Sequence, residues 1–383
     1  MDKSLDQVPP VYMDHAASTP LRPRTWEVMG QARELAGNPS AQHGAGRAAR
    51  AVIEDAREHL AALAGAEPDE VWFTSGGSEA NSIALLASAA HRAPERSRVV
   101  ISGIEHPSVS TVTEALGERV RVAGVEPSGH IDPQRWAGQL DETVAISSLI
   151  WVNNEIGTIQ PIDRAAEAAH RVGAWFHTDA VQAFGSIPVN FSGSGADLMS
   201  VSSHKLGGPV GIGALIVRRG IDLSPWGLGG RQEGGVRSGT PSVMLAAGFA
   251  SAASIATIEF ETRSKRLLAF RHVITAAASA CGGRVIGAFP VSPGIISLVF
   301  DGVVGSDVTF VLDQMGIQVS TGSACRAGVT GPSEVLLAIG QDEAAASAVV
   351  RISLGWSTRR EDVDRLIAAL PTAVERARAV PRN

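Results

Sequence analysis

Residues 174–205, AWFHTDAVQAFGSIPVNFSGSGADLMSVSSHK, decide the fold class, because two apolar strand-like segments each end in polar side chains. Asp179 follows the first segment and Lys205 follows the second. From about residue 50 to 255, strand-like segments alternate with helical ones around this stretch. Such alternation predicts an α/β fold with a mainly parallel central sheet flanked by helices. In open sheets of this kind, ligands bind at the carboxyl ends of the strands.

The same patterns divide the chain into two predicted domains. The alternating region belongs to a large domain over residues 15–255. Strand-like segments at 284–288, 294–302 and 349–355, with helical segments at 306–316 and 361–379, predict a smaller α+β domain. We assign residues 1–14 and 256–383 to it, and we expect the long Ala-rich stretch at 243–281 to form a helix that bridges the two domains.

Composition and charge restrict the class of protein. The 383 residues are 44% hydrophobic and 19% charged, as in a soluble globular enzyme. The net charge of -6 and the absence of a basic stripe argue against a nucleic-acid surface. The start, MDKSLDQVPPVYMDH, lacks the features of a signal peptide, and no apolar run reaches the roughly 18 residues of a membrane span. Two cysteines form no disulfide framework, so we expect a cytoplasmic location, and we predict no metal site.

An anion site is indicated by Thr74-Ser-Gly-Gly-Ser-Glu79, which joins a strand to a helix. Glycines permit a close backbone approach, and a helix N-terminus offers free N–H groups to a phosphate. Ser78 is expected to be both the N-cap and a phosphate ligand; the alternative is an ordinary capped helix. The segment lacks the spacing of GxxxxGK[ST] and of GxGxxG, so nucleotide binding is the weaker interpretation.

Lys205 and Asp179 indicate the covalent and electronic chemistry of an aldehyde cofactor, which the anion site alone does not indicate. A lysine that directly follows an apolar strand suits a covalent link to an aldehyde, because its amine must be neutral to attack. The carboxylate of Asp179 suits a partner for the pyridine nitrogen of pyridoxal phosphate (PLP), and Gln182 is placed to reach the ring's phenolic oxygen. A solvated lysine and a helix-capping aspartate are the alternatives.

With these motifs in place, the chain resembles the fold-type I PLP enzymes of the class V aminotransferase group, and most closely the NifS/IscS-like cysteine desulfurases. The resemblance runs from about Tyr12 to Ala369 and follows the family's order and near-family spacing. The matching segments are Tyr12–Pro20, Gly37–Ser40 with His43, Thr74–Glu79, Glu105–His106, Asn153–Gly157, Asp179–Gln182, Ser202–Lys205, Arg237–Thr240, Ser323–Cys325 and Arg351–Gly355.

The resemblance implies roles for individual residues around PLP. Lys205 is expected to hold the cofactor covalently, Asp179 to pair with its pyridine nitrogen, and His106 to stack on its ring and assist proton transfer. The other cofactor contacts are expected from Gln182 and Asn154 at the phenolic oxygen, and from Gly77, Ser78, Ser202 and His204 at the phosphate. Thr240 is expected to reach the phosphate of the partner subunit in a homodimer. Arg351, with Asn154, is expected to hold the substrate carboxylate.

The resemblance also implies the reaction. The sulfur of L-cysteine is expected to pass to Cys325 as a persulfide, leaving L-alanine, and then to a sulfur-acceptor protein of iron–sulfur assembly or thiolation. A transient contact with an iron–sulfur cluster at Cys325 is part of this expectation. The loop from Cys325 to Pro332-Ser333 has the length of the IscS-like subgroup.

The two cysteines stand in the same tripeptide, Ser-Ala-Cys, so the tripeptide does not distinguish them. Cys281 follows an Ala-rich helix and precedes two glycines, which predicts a packed residue at a helix end. Cys325 lies between a predicted strand and a predicted helix in a Gly- and Ser-rich loop, beside Arg326. A neighbouring cation favours the thiolate, so Cys325 is the predicted nucleophile.

The chain departs from the family pattern at Ser82, Gly234 and Glu334. These departures leave open which sulfur acceptor the protein serves and how tightly the dimer is tuned. Other PLP reactions on the same scaffold, such as transamination or selenocysteine cleavage, are alternatives; Cys325 argues against transamination. A non-catalytic paralogue is a further alternative, and the retention of Lys205, Asp179 and Cys325 argues against it.

Overall fold

The segments that end at Asp179 and Lys205 form neighbouring strands in the middle of a seven-stranded sheet. The computed structural model describes residues 9–35, 37–322 and 331–381 of the chain. In these residues the strands are β1 (Val11–Tyr12), β2 (Val71–Thr74), β3 (Arg98–Ser102), β4 (Val120–Ala123), β5 (Val144–Ser148), β6 (Trp175–Asp179), β7 (Leu198–Ser202), β8 (Gly213–Val217), β9 (Gly283–Ile286), β10 (Ile295–Phe300), β11 (Ile317–Gln318) and β12 (Val349–Ser353).

The large sheet has the strand order β2-β8-β7-β6-β5-β3-β4. Strand β8 runs antiparallel to both of its neighbours, whereas the pairs from β7 to β4 are parallel. The predicted α/β fold with a mainly parallel sheet is therefore confirmed. Because β6 and β7 are parallel and adjacent, Asp179 and the residues that follow Ser202 reach the same edge of the sheet.

Helices cover both faces of this sheet, and their apolar residues form separate buried clusters on either side. The α-helices are α1 (Pro23–Ala32), α2 (Gly44–Ala64), α3 (Gly77–Ser82), α4 (Ser88–Arg92), α5 (Pro107–Ser110), α6 (Val112–Leu116), α7 (Pro133–Ala137), α8 (Ile162–Arg171), α9 (Phe191–Ser194), α10 (Val243–Ile258), α11 (Phe260–Ala280), α12 (Gly305–Gln314), α13 (Glu334–Ala338), α14 (Glu343–Ser347) and α15 (Arg360–Arg378). A π-helical turn, Ile83–Ala87, joins α3 to α4.

The expected long helix at 243–281 is two helices, α10 and α11, which meet at an angle of 68°. The break follows a change of packing partner, because Phe249 of α10 belongs to the core under the large sheet, whereas Leu267 and Ile274 of α11 belong to a second core. In the described part of the chain, no single helix has the length and apolar composition to cross a membrane; only this bent pair meets the criterion jointly.

The second core lies against a three-stranded antiparallel sheet with the order β12-β10-β9. Helices α11 and α12 pack on this sheet, and α15 packs on both of them. The N-terminal segment joins the same unit, since Val11 and Met13 are buried in this core and β1 pairs with β11. The limits of the two domains, 15–255 on one side and 1–14 with 256–383 on the other, remain a prediction.

Candidate active site

Lys205 ends the short 3₁₀ turn Ser203–Lys205 that follows β7. Its Nζ donates hydrogen bonds to the carbonyl oxygens of Ala16 (2.6 Å) and Ala17 (2.8 Å) in the N-terminal segment. Burial lowers the pKa of the Lys205 amine to about 8, and the positive charge of Arg351 acts in the same direction. The amine is therefore easier to deprotonate than an exposed lysine, which a nucleophilic lysine requires.

Asp179 ends the neighbouring strand β6, with 3% of its surface exposed. Its Oδ1 accepts from the backbone N–H of Val181 (2.9 Å), and its Oδ2 accepts from Nδ2 of Asn81 (2.7 Å). These donors fix the carboxylate and leave each oxygen a further lone pair. Asn81 was not among the predicted site residues, although its position three residues after Ser78 places both on one helix face.

The predicted phosphate end is formed where α3 begins. The expected capping role of Ser78 is wrong: the helix starts at Gly77, and the N-cap is Gly76 without a side-chain hydrogen bond. Gly77 packs closely on the segment after β6, since a Cβ there would lie 2.6 Å from Cγ2 of Val181. The hydroxyl of Ser78 therefore has no capping role, and Ser78 lines the cavity in the first turn of the helix.

Two half-buried histidines adjoin this end of the site. Burial lowers the pKa of His204 to about 4, with the positive charge of Lys205 as a further cause. Burial also lowers the pKa of His106. Both imidazoles are therefore neutral at physiological pH and offer one donor and one acceptor each.

Arg351 lies on β12, with 5% of its side chain exposed. It donates from Nη2 to Oδ1 of Asp14 (2.8 Å) and from Nη1 to the carbonyl oxygen of Asn154 (3.0 Å). Its Nε and the Oδ1 of Asn154 are buried and have no partner among the described residues. Nε2 of Gln182 donates to the carbonyl oxygen of Ala16 (2.8 Å), which also accepts from Lys205.

The structure brings the predicted site residues that it describes, except one, around a single cavity of about 420 Å³. The exception is Thr240, which is exposed on this chain and does not line the cavity. Cys325 lies outside the described residues. Ser320, Thr321 and Gly322, which precede it in the sequence, line the cavity.

The groups around this cavity fit PLP. The helix start at Gly77, with Ser78 and His204 beside it, provides neutral donors for a phosphate, and the carboxylate of Asp179 suits a protonated ring nitrogen. The amine of Lys205 suits the aldehyde carbon. The orphaned Oδ1 of Asn154 provides a polar atom for a ring substituent or a substrate.

A half-buried lysine, a fixed carboxylate and a helix start around one cavity, at the carboxyl edge of an α/β sheet, define a PLP-dependent enzyme. Residues 11–366 match the model of the family described as Aminotransferase class-V. The chain belongs to this family and, within it, to the group of the cysteine desulfurases.

Two curated relatives and one solved structure illustrate the likeness. The chain is 40% identical over 381 residues to the IscS-like cysteine desulfurase of Mycobacterium tuberculosis, covering 96% of this chain and 97% of the relative. It is 39% identical over 378 residues to a cysteine desulfurase of Cereibacter sphaeroides, with 97% of each chain covered. A solved structure titled NifS-like protein superimposes with a TM-score of 0.89 at 31% identity, covering 96% of this chain and 99% of that one.

Proposed function

We propose that this protein is a cysteine desulfurase that holds PLP on Lys205, removes the sulfur of L-cysteine and receives it on Cys325. The observation that carries the proposal is the convergence of Lys205, Asp179 and Arg351 around one cavity. Its experimental test is incubation of the PLP-loaded protein with L-cysteine and a thiol reductant. We expect alanine and sulfide in equal amounts; release of pyruvate, or of alanine without sulfide, would contradict the proposal.

When bound, PLP would supply an electron sink that makes the proton on the substrate's Cα acidic and weakens the substrate's C–S bond. The carboxylate of Asp179, fixed by Asn81 and Val181, would keep the ring nitrogen protonated. The Lys205 amine, with its lowered pKa, takes the Cα proton and returns it. Neutral His106 is the second group placed to move a proton.

Arg351 orients the substrate through its carboxylate. Its guanidinium is held by Asp14 and by the carbonyl of Asn154, so its position is fixed before the substrate arrives. A planar guanidinium with a free Nε–H group matches the two oxygens of a carboxylate better than a lysine ammonium does.

Changing Arg351 to lysine should raise KM for L-cysteine about 10- to 100-fold, as expected from the loss of a charge-assisted hydrogen bond of about 1.5–3 kcal/mol. The effect on kcat should be much smaller, because the guanidinium does not take part in proton transfer. Steady-state kinetics at saturating PLP separates the two constants. An unchanged KM with a large fall in kcat would contradict a substrate-binding role.

Cys325 is the proposed sulfur acceptor within the protein. Gly322 lines the cavity, and three residues of extended chain span about 10 Å, so the thiol is within reach of the substrate. The thiolate attacks the substrate sulfur, an S–S bond forms, and the C–S bond breaks with its electron pair moving to carbon. Protonation of that carbon yields alanine, and the persulfide passes its outer sulfur to an acceptor protein of iron–sulfur assembly or thiolation.

We also propose a homodimer, in which Thr240 contributes to the partner's phosphate site. Thr240 is exposed and outside the cavity of its own chain, which is what such a role requires. Thr240→Val should weaken PLP binding several-fold without changing the oligomeric state, as measured by equilibrium dialysis and sedimentation velocity. A fully active monomer would contradict the shared site.

A further inference from the structure

A line of hydrogen bonds connects Asp179 to His106 through Asn81, which holds the carboxylate of Asp179, and through Ser108, to which no role has been given so far. The Nδ2 of Asn81 lies 2.7 Å from Oδ2 of Asp179 and 2.8 Å from Oγ of Ser108. The Oγ of Ser108 in turn lies 2.8 Å from Nδ1 of His106. The backbone N–H of Ser108 donates to the same Nδ1 over 3.1 Å.

The chemistry of these groups sets the direction of every bond in the line. An ionised Asp179 only accepts, so the amide of Asn81 must present its N–H group there; the reverse orientation would set two oxygens against each other. The second N–H of Asn81 then donates to Ser108, whose hydroxyl proton is left for Nδ1 of His106. Since Nδ1 also accepts from the backbone N–H of Ser108, it accepts two hydrogen bonds and carries no proton of its own.

We propose that Asn81 and Ser108 are positioning residues that link Asp179 to His106 and hold the imidazole as the neutral tautomer with its proton on Nε2. This inference rests on the proposed PLP site, and it adds that the anchor of the ring nitrogen and the proton-transfer histidine form one connected unit. Because Nδ1 is occupied, Nε2–H is the group that His106 presents to cofactor or substrate.

The charges around His106 favour the neutral form. Burial is the largest cause of its lowered pKa, and the positive charges of Lys205 and Arg351 act in the same direction. Asp179 opposes them, and His204, itself neutral, is the other titratable neighbour. Donation of two hydrogen bonds to the lone pair of Nδ1 further stabilises the neutral ring.

Ser108→Ala tests the line directly, since it removes the hydroxyl donor and leaves the backbone donor. The neutral ring loses stabilisation, so the pKa of His106 should rise by about one unit, the equivalent of one typical hydrogen bond. The measurement is a pH titration of the PLP-loaded protein, labelled with ¹⁵N-histidine, by NMR; His106→Gln identifies the signal. Wild type should show the Nε2–H tautomer, and Ser108→Thr, which keeps a hydroxyl, should keep the wild-type pKa.

Thr111→Val is the matched control. Its hydroxyl donates to the carbonyl oxygen of Pro107 (2.7 Å) in the same short helical turn and does not contact the imidazole. This variant should leave the titration of His106 unchanged. An equal shift in Thr111→Val and Ser108→Ala would mean that general loosening of the turn, and not the hydroxyl donor, moves the pKa, which would overturn the proposal.

Asn81→Leu separates a connected line from two independent contacts. It should raise the pKa of His106 in the wild-type background and raise it less in Ser108→Ala, because part of the effect of Asn81 passes through Ser108 and the rest through the charge of Asp179. Additive shifts, or a wild-type His106 protonated on Nδ1, would overturn the proposal even in an active desulfurase. A wild-type protein that releases no sulfur would instead refute the proposed function. The tautomer of His106 would still show whether Asn81 and Ser108 position the imidazole.

Discussion

Replacing Lys205 with alanine should abolish both the covalent attachment of PLP and the turnover of L-cysteine. The Nζ of Lys205 is the half-buried amine that lines the cavity, held by the carbonyls of Ala16 and Ala17. No other described lysine lines that cavity. Loss of the group that both binds the cofactor and moves the proton should reduce the rate by more than about a thousandfold. The visible absorption band of bound PLP should be lost or changed, and borohydride should no longer fix the cofactor to the protein.

The sequence offers a favourable control for this experiment, because it contains only three lysines, Lys3, Lys205 and Lys265. Lys265 is exposed on α11, so Lys265→Ala should keep the band and the full rate. After borohydride reduction of wild type, peptide mapping should place PLP on Lys205. PLP on the peptide of Lys265 or Lys3 would show that the cofactor site has been misassigned.

Cys325→Ser should leave PLP binding intact and abolish the release of sulfide. Binding of the cofactor and of L-cysteine uses Lys205, Asp179 and Arg351, none of which depends on the thiol. Serine cannot accept the sulfur, because its oxygen does not provide the thiolate nucleophile that the S–S bond needs. Spectral titration with L-cysteine should therefore resemble wild type while sulfide production is lost.

Cys281→Ser is the matched control, since both cysteines stand in the tripeptide Ser-Ala-Cys. The predicted helix-end position of Cys281 is confirmed: it follows the last residue of α11, and its Sγ donates to the carbonyls of Ala277 (3.4 Å) and Ala278 (3.2 Å). Burial raises the pKa of this thiol, so it is a poor nucleophile at neutral pH. The variant should keep full activity and lose about 1 kcal/mol or less of stability to denaturant. Normal sulfide release by Cys325→Ser, with loss in Cys281→Ser, would reverse the assignment.

Periodicity in the sequence predicted most of the large sheet, because its parallel strands are short apolar runs that end in polar or glycine residues. Strand β8 was missed, because it begins at Gly213, just after Gly207–Gly211, a segment with the composition of a loop. The bend between α10 and α11 was missed for another reason. Both halves have strong helical composition, and only their packing on different cores separates them.

The chemical groups of the site were predictable where a local motif carries them, as at Lys205 and Asp179. Asn81 and Ser108 were not, because their function depends on contacts that the fold creates. Asn81 bonds to Asp179 across 98 residues and to Ser108 across 27. The pairing of Arg351 with Asp14 across 337 residues likewise leaves no local signal in the sequence.

The most direct test of the account is peptide mass spectrometry of the PLP-loaded protein after a brief exposure to L-cysteine without reductant. The peptide that contains Cys325 should gain about 32 Da, the mass of one sulfur atom, and reductant should remove it. Alanine should appear in an amount equal to the added sulfur. An unmodified Cys325 peptide in protein that has produced alanine, or added sulfur found only on the Cys281 peptide, would contradict the proposed sulfur transfer.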